Sequence, residues 1–87
     1  MEVLLLTRDA CAFCDRAKEV LDRLSSGYAI SVRIVDMDSP EGESLAERGG
    51  VMFPPGIFLD GEPFSFGRPS ERKLRRALEQ RLVRDGR

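Results

Sequence analysis

A run of strand length, Met1 to Thr7 (MEVLLLT), is apolar almost throughout, and the turn-prone Arg8, Asp9 and Ala10 stop it. The absence of alternation predicts a central strand buried on both faces. From Phe13 the spacing changes: Phe13, Ala17, Val20, Leu21 and Leu24 recur at helical intervals, and Asp15, Arg16, Lys18, Glu19, Asp22 and Arg23 fill the other face. Ser25, Ser26 and Gly27 end that helix. Tyr28 to Met37 predicts a second strand, with Ile30, Val32 and Ile34 alternating against Ser31 and Arg33 before Val35. Two strands joined by a helix predict a parallel βαβ unit.

Ser39-Pro40 then opens a second helix, because the serine caps and the proline sits where a missing N–H costs nothing. Glu41 and Glu43 suit its positive end, Leu45 and Ala46 give it a small apolar face, and Gly49 and Gly50 stop it. Ile57–Leu59 and Pro63–Phe66 flank Asp60-Gly61, a strong signal for an antiparallel hairpin. A last helix begins at Ser70, with Glu71 in its first turn and Leu74, Ala77, Leu78 and Leu82 on one face. The predicted order is βαβαββα, an α/β fold in which helices flank a central four-stranded mixed sheet.

Length and charge narrow the picture. A chain of 87 residues supports one modest core, and no repeat, linker or low-complexity block interrupts the series, so a single domain over residues 1–87 is expected. Fraying is expected only at Arg84 to Arg87. A formal net charge of -1 gives no general drive toward nucleic acid, although the charge is uneven. Residues 68–87 carry eight basic against three acidic residues, and residues 1–67 carry six against twelve. Arg72, Lys73, Arg75, Arg76, Arg81 and Arg84 could dock an acidic partner or touch nucleic acid, but a solvated helix face explains them more simply. The apolar start Val3–Leu6 is too short for a signal-peptide core and follows Glu2. No run approaches the ~20 apolar residues of a membrane span. The expectation is a cytoplasmic monomer without membrane or nucleic-acid partners.

Candidate chemistry centres on TRDACAFCDR, which holds Cys11 and Cys14, the two cysteines of the chain. Such a pair can be redox-active, half of a metal site, a structural staple or a coincidence. A staple closing so short a loop stabilises by only about 2 kcal/mol on the chain-entropy model. Zinc needs about four ligands, and with no His and no further Cys only a bridging dimer, carboxylates or an added thiol would complete them. Redox chemistry suits the position best, because the pair lies where the first strand hands over to the first helix. Unpaired N–H groups at a helix start favour an anion, which lowers a thiol pKa and supplies the thiolate that attacks disulfides. Cys11 is the expected nucleophile, and Cys14, about one turn along, the resolving thiol. Neighbouring charges oppose one another, with Arg8 and Arg16 favouring the thiolate and Asp9 and Asp15 disfavouring it.

With that topology, TRDACAFC followed by an amphipathic helix and then GVMFPPGIFLDG resembles the glutaredoxin-like branch of the thioredoxin superfamily over nearly the whole chain. The resemblance implies a thioredoxin-like, glutaredoxin-type fold and a thiol-disulfide oxidoreductase acting on disulfide-containing proteins or small thiols. It implies a cis-proline at Pro55, preceding the third strand and facing the CxxC. It places Pro54 where the family pairs its backbone with the substrate's cysteine, yet a proline has no N–H to offer. One hydrogen bond of that pairing is lost, about 1 kcal/mol if nothing replaces it. The family's usual CPYC is CAFC here, so Ala12 replaces the rigid proline and Phe13 lacks a hydroxyl. The family's glycine pair resembles Gly67-Arg68, and its acidic partner for the glutathione amino group falls near Ser70 or Glu71. Arg8 matches a basic residue used for a glutathione carboxylate. No bound cofactor is implied; glutathione, another small thiol or a thioredoxin reductase could each recycle the pair.

Phe53, Phe58, Phe64 and Phe66 could form an apolar rim beside the thiols, but core packing around the hairpin explains them better, at least at Phe58, with Phe53 expected at the rim. Asp36 and Asp38 fall at a strand end entering a capped turn, and turn chemistry explains them. Two other classes remain open: a protein holding zinc or an iron-sulfur cluster through Cys11 in a dimer, and a non-catalytic adaptor.

Overall fold

In the computed structural model, which describes residues 1–85 and side chains through Leu82, seven elements follow the predicted order. They are β1 (Glu2–Thr7), α1 (Ala12–Ser25), β2 (Ser31–Asp36), α2 (Pro40–Gly49), β3 (Gly56–Leu59), β4 (Glu62–Phe66) and α3 (Glu71–Asp85). The sheet order is β2-β1-β3-β4. β1 lies parallel to β2 and antiparallel to β3, and β3 pairs antiparallel with β4, so the sheet is mixed and central as expected. The helix α3 continues through Asp85, where fraying was expected from Arg84; residues 86–87 lie outside the described ones.

β1 is the middle of the molecule. Val3 to Thr7 are all buried, and their alternation feeds two separate cores. Val3 and Leu5 join Ala17, Val20, Leu21 and Leu24 of α1 and Leu74 and Leu78 of α3 on one face. Leu4 and Leu6 join Val35, Met37, Ala46, Val51 and Phe58 on the other. A strand with helices on both faces has no solvated side to show, which explains its uninterrupted apolar run. In the tight turn Asp60-Gly61 both residues adopt positive φ, 48° and 84°, as a two-residue hairpin requires.

The second strand differs from its prediction in two ways. It starts at Ser31, because Tyr28 turns back to donate its amide to the Leu24 carbonyl, and Ile30 donates to the Tyr28 carbonyl. Val32 and Ile34 are also 38% and 52% exposed, and Val35 is the buried residue of the strand. β2 is a sheet edge, and its outer column faces an open hollow beside Lys18, Glu19 and Asp22 of α1 rather than a helix core.

Ser39 caps α2, its Oγ accepting from the Gly42 amide at 3.0 Å, and Gly50 closes the helix in the left-handed region at φ 67°. Gly42 is buried where a Cβ would collide with the Asp36 carbonyl. Gly42→Ala is therefore expected to destabilise the protein by roughly 1–3 kcal/mol. Gly27→Ala, with open space around it, should change stability by less than about 1 kcal/mol. Urea titrations of the two variants check this; equal midpoints would contradict the packing.

Candidate active site

The C-terminal ends of β1, β2 and β4 and the N-terminal end of β3 share one end of the sheet, since Leu6 pairs with Gly56, Thr7 with Asp36, and Gly56 with Phe66. The connections that emerge there, with the first turn of α1, carry Arg8, Cys11, Phe13, Cys14, Pro54, Pro55 and Ser70. The N-termini of α1 and α3 begin at this end as well.

Cys11 is the N-cap of α1. Its backbone is extended (φ -123°, ψ 104°), and its Sγ accepts from the Cys14 amide at 3.1 Å, the place a serine or aspartate oxygen takes in an ordinary cap. The Cys11 carbonyl receives the Asp15 amide at 3.1 Å, the first helical bond. Cys11 and Cys14 are joined as a disulfide, with Cα atoms 5.2 Å apart. Their environments differ sharply. Cys11 is partly exposed, whereas Cys14 is 1% exposed, one turn into the helix and against the core. Ala10, just before the cap, holds φ 54° in the left-handed region, where a side chain is disfavoured.

The bond between Pro54 and Pro55 is cis. Pro55 is fully buried at the start of β3, and its carbonyl accepts the Gly67 amide at 2.8 Å, tying the loop before β3 to the one after β4. Around these loops lies exposed apolar surface: Met52 is 80%, Phe53 53%, Phe13 41% and Phe66 40% exposed. Phe53 and Phe66 meet edge to face, ring centres 5.2 Å apart. Gly67, at φ 82°, lies against the Phe53 ring, where a Cβ would sit only 2.7 Å from the ring's Cε2. Phe53 is at the surface as expected. Phe66 joins it there rather than packing inside, because it pairs with Gly56 on an edge strand.

The polar residues expected around a glutathione molecule are already engaged. Arg8 makes two hydrogen bonds to Asp38, Nε to Oδ2 and a terminal nitrogen to Oδ1, both 3.1 Å. Turn chemistry accounts for Asp36, whose Oδ1 accepts the Asp38 amide and whose carbonyl accepts the Ser39 amide and hydroxyl. The Asp38 carboxylate does something else and pairs with Arg8. The parallel register would have found this pair, because the Met37 amide donates to the Thr7 carbonyl and brings the two following residues level. Ser70 Oγ accepts the Lys73 amide at 3.2 Å and so opens α3. Glu71 accepts from Arg23 at 2.7 Å and from Arg75 at 2.9 Å; the Arg23 hydrogen bond holds its carboxyl below the usual carboxylate range, with burial opposing.

Among the described residues no three His, Cys, Asp or Glu side chains gather as a metal site, and no helix is long and apolar enough to cross a membrane.

A mixed sheet with a disulfide capping the helix after its central strand, and a cis-proline at the same sheet end, defines a dithiol redox protein of thioredoxin-like fold. The family model for glutaredoxin matches residues 3–64, and the chain belongs to the glutaredoxin family. It is 26% identical to a thioredoxin of Methanocaldococcus jannaschii over 94% of this chain and 96% of that one. It is 35% identical to an uncharacterized protein of Mycobacterium bovis over 85% of this chain and 78% of that one. Among solved structures, a mutant thioredoxin from Halobacterium salinarum is similar with a TM-score of 0.70 and 26% identity, over 91% of this chain and 72% of that one.

The strained backbone ahead of Cys11 is testable. Ala10→Gly should raise the unfolding free energy by about 0.5–1 kcal/mol, as left-handed strain is relieved and part of the gain is lost to chain entropy. Chemical denaturation of the oxidised protein measures it; a loss of stability would mean that Ala10 is not in that conformation.

Proposed function

We propose that the protein is a thiol-disulfide oxidoreductase, working as one domain in a reducing compartment such as the cytoplasm and as a monomer. The observation that carries this reading is the asymmetry of the pair: one cysteine partly exposed at a helix cap, the other buried one turn behind it. In the reduced protein the Cys11 thiolate attacks a substrate disulfide, forming a Cys11–substrate bond and expelling the substrate's other sulfur as a thiolate that takes up a proton. Cys14 then loses its proton and attacks Cys11 Sγ. The second substrate thiol leaves, two electrons have passed to the substrate, and the Cys11–Cys14 disulfide remains. Two electrons from a thiol reductant restore the dithiol.

Cap geometry explains why Cys11 attacks first. A thiolate there accepts the Cys14 amide and faces the positive end of α1, so its pKa falls, whereas Cys14 sits in hydrocarbon that favours the neutral thiol. Phe13, Pro54 and Pro55 form the substrate groove, and Arg8 and Ser70 border it. The reductant belongs to the same class of small thiols that includes glutathione, or is a thioredoxin reductase. The pairing of Arg8 with Asp38 and of Glu71 with Arg23 and Arg75 supports a site less committed to glutathione than the family's usual one.

The test is a pH titration of Cys11 alkylation in the reduced Cys14→Ser protein, alongside the wild type. The midpoint is expected at least one unit below the ordinary thiol value of about 8.5, with reactivity retained as pH falls toward neutrality. A midpoint near 8.5 would remove the basis for Cys11 as nucleophile.

Pro54 gives a second test. Pro54→Val restores a backbone donor and should tighten binding of a cysteine-containing peptide about fivefold, the equivalent of one net hydrogen bond of about 1 kcal/mol. Isothermal titration with the Cys11→Ser background reads it; unchanged or weaker affinity refutes the role given to this backbone.

A further inference from the structure

Beside the disulfide end, a groove of about 470 Å3 runs between β4 and α3. Phe64 and Ala77 give it an apolar floor, and Arg68, Lys73 and Arg76 give it a positive wall. Among the described residues no Asp or Glu lines it. The three cations are exposed, and none forms an ion pair among the described residues. Nearby carboxylates are occupied elsewhere: Glu71 by Arg23 and Arg75, Glu62 by Arg81, and Glu79 by the Tyr28 hydroxyl. Lys73 and Arg76 stand three residues apart on one helix, so their like charges repel, and among the described residues no carboxylate forms an ion pair with either. A negative ligand from outside the chain supplies what the fold does not.

The opposite wall identifies the shape of that ligand. β4 is the last strand of the sheet, and its outer edge has no strand partner among the described residues. Pro63 removes a donor from its far half, which leaves Phe64 to Phe66, toward the disulfide end, as the stretch able to accept an added strand. The groove is also continuous with the candidate active site. Phe66 lines it and packs on Phe53, and the next residue, Gly67, donates its amide to the Pro55 carbonyl.

We propose that this groove docks an acidic, extended segment of a protein disulfide substrate, laid beside β4 with its carboxylates against Lys73 and Arg76. The proposal rests on the oxidoreductase reading above and names its substrate class. From Ser70 to Gln80 the helix wall is about 15 Å long at 1.5 Å per residue. An extended chain covers that length with about four or five residues. Acidic residues within about that distance of the substrate's cysteine are therefore the recognised feature. Their effect enters mainly through the association rate and weakens with salt.

The experiment uses two peptides, each with one cysteine held as a mixed disulfide with 2-mercaptoethanol and five residues on either side. One is rich in Asp and Glu, and the other has Asn and Gln in their place. Dithiothreitol supplies the electrons, and hydroxyethyl disulfide serves as a small uncharged substrate. The wild type is expected to reduce the acidic peptide with a kcat/KM about tenfold above its amide counterpart at about 20 mM salt, the ratio shrinking toward about 300 mM. The double substitution Lys73→Gln and Arg76→Gln should bring the ratio within about twofold and leave hydroxyethyl disulfide reduction unchanged. Equal rates for the two peptides in the wild type, or a ratio that survives the double substitution, overturns the proposal.

Binding is read separately from turnover, by amide shifts at Ser65, Phe66 and Gln80 when a cysteine-free acidic peptide is added to the Cys11→Ser/Cys14→Ser protein. Shifts there with no disulfide reduction by the wild type would sink the oxidoreductase reading and leave an acidic-peptide site. Absence of shifts overturns the groove itself. Concentration-dependent shifts without peptide would assign it to a second copy of the chain, and tighter binding of a single-stranded oligonucleotide would assign it to nucleic acid; either result overturns the proposal.

Discussion

The amide of Cys14 donates to Cys11 Sγ, and the rest of the site is arranged around that bond. A helix start leaves several N–H groups without partners, and a sulfur at the N-cap accepts one of them better as an anion than as a thiol. The same bond requires Cys11 to leave the helical conformation, which turns it toward solvent while Cys14 enters the first turn and the core. Chemical asymmetry between two identical side chains thus follows from a cap. No charged neighbour is needed for it, and Arg8, the basic residue nearest in the motif, holds Asp38 instead.

That cap is only as rigid as the strand leading into it. β1 is paired on both sides and buried on both faces, so the chain emerges at Arg8 from one of the two inner strands of the sheet. Parallel pairing with β2 then sets Asp38 beside Arg8, while antiparallel pairing with β3 returns Pro55 to the same end. The Gly67 amide bound to the Pro55 carbonyl carries the order one strand further, and the absence of a Cβ at Gly67 lets the Phe53 ring lie over that junction. The disulfide, the cis-proline and the aromatic rim are therefore brought to one end of the sheet by its strand pairing.

Much of this was legible in the residues because local chemistry and tertiary structure agree. The unbroken apolar run of β1, the 3.6-residue spacing of α1, Ser39-Pro40 and Asp60-Gly61 each have one strong local meaning, and each kept it. What was hidden depends on neighbours distant in sequence. Val32 and Ile34 look like core positions, and only the place of β2 at the sheet edge exposes them. Asp38 resembles Asp36 as a turn residue until the register of two strands sets it against Arg8. Phe66 resembles Phe58, yet one lies on the edge strand and the other on β3 under α2, where its ring touches the space a Cβ at Gly49 would fill.

One departure from the family pattern, Pro54, and the cationic face of α3 bear on one another in the proposed reaction. Recognition by backbone pairing beside a cis-proline is indifferent to the substrate's side chains, and Pro54 has one donor fewer for it. A weaker general grip leaves more of the discrimination to surfaces farther from the sulfur, where side chains rather than peptide groups make the contact. On this protein those surfaces are the apolar patch of Met52, Phe53 and Phe66 and, adjoining it, a cationic groove whose lining among the described residues holds no carboxylate. An apolar patch rewards almost any unfolded segment, whereas like charges on one wall reject basic segments as well as attract acidic ones. The loss of a hydrogen bond at Pro54 and the concentration of positive charge on α3 then have the same consequence: the sequence around a substrate's cysteine matters more, and the bare disulfide matters less.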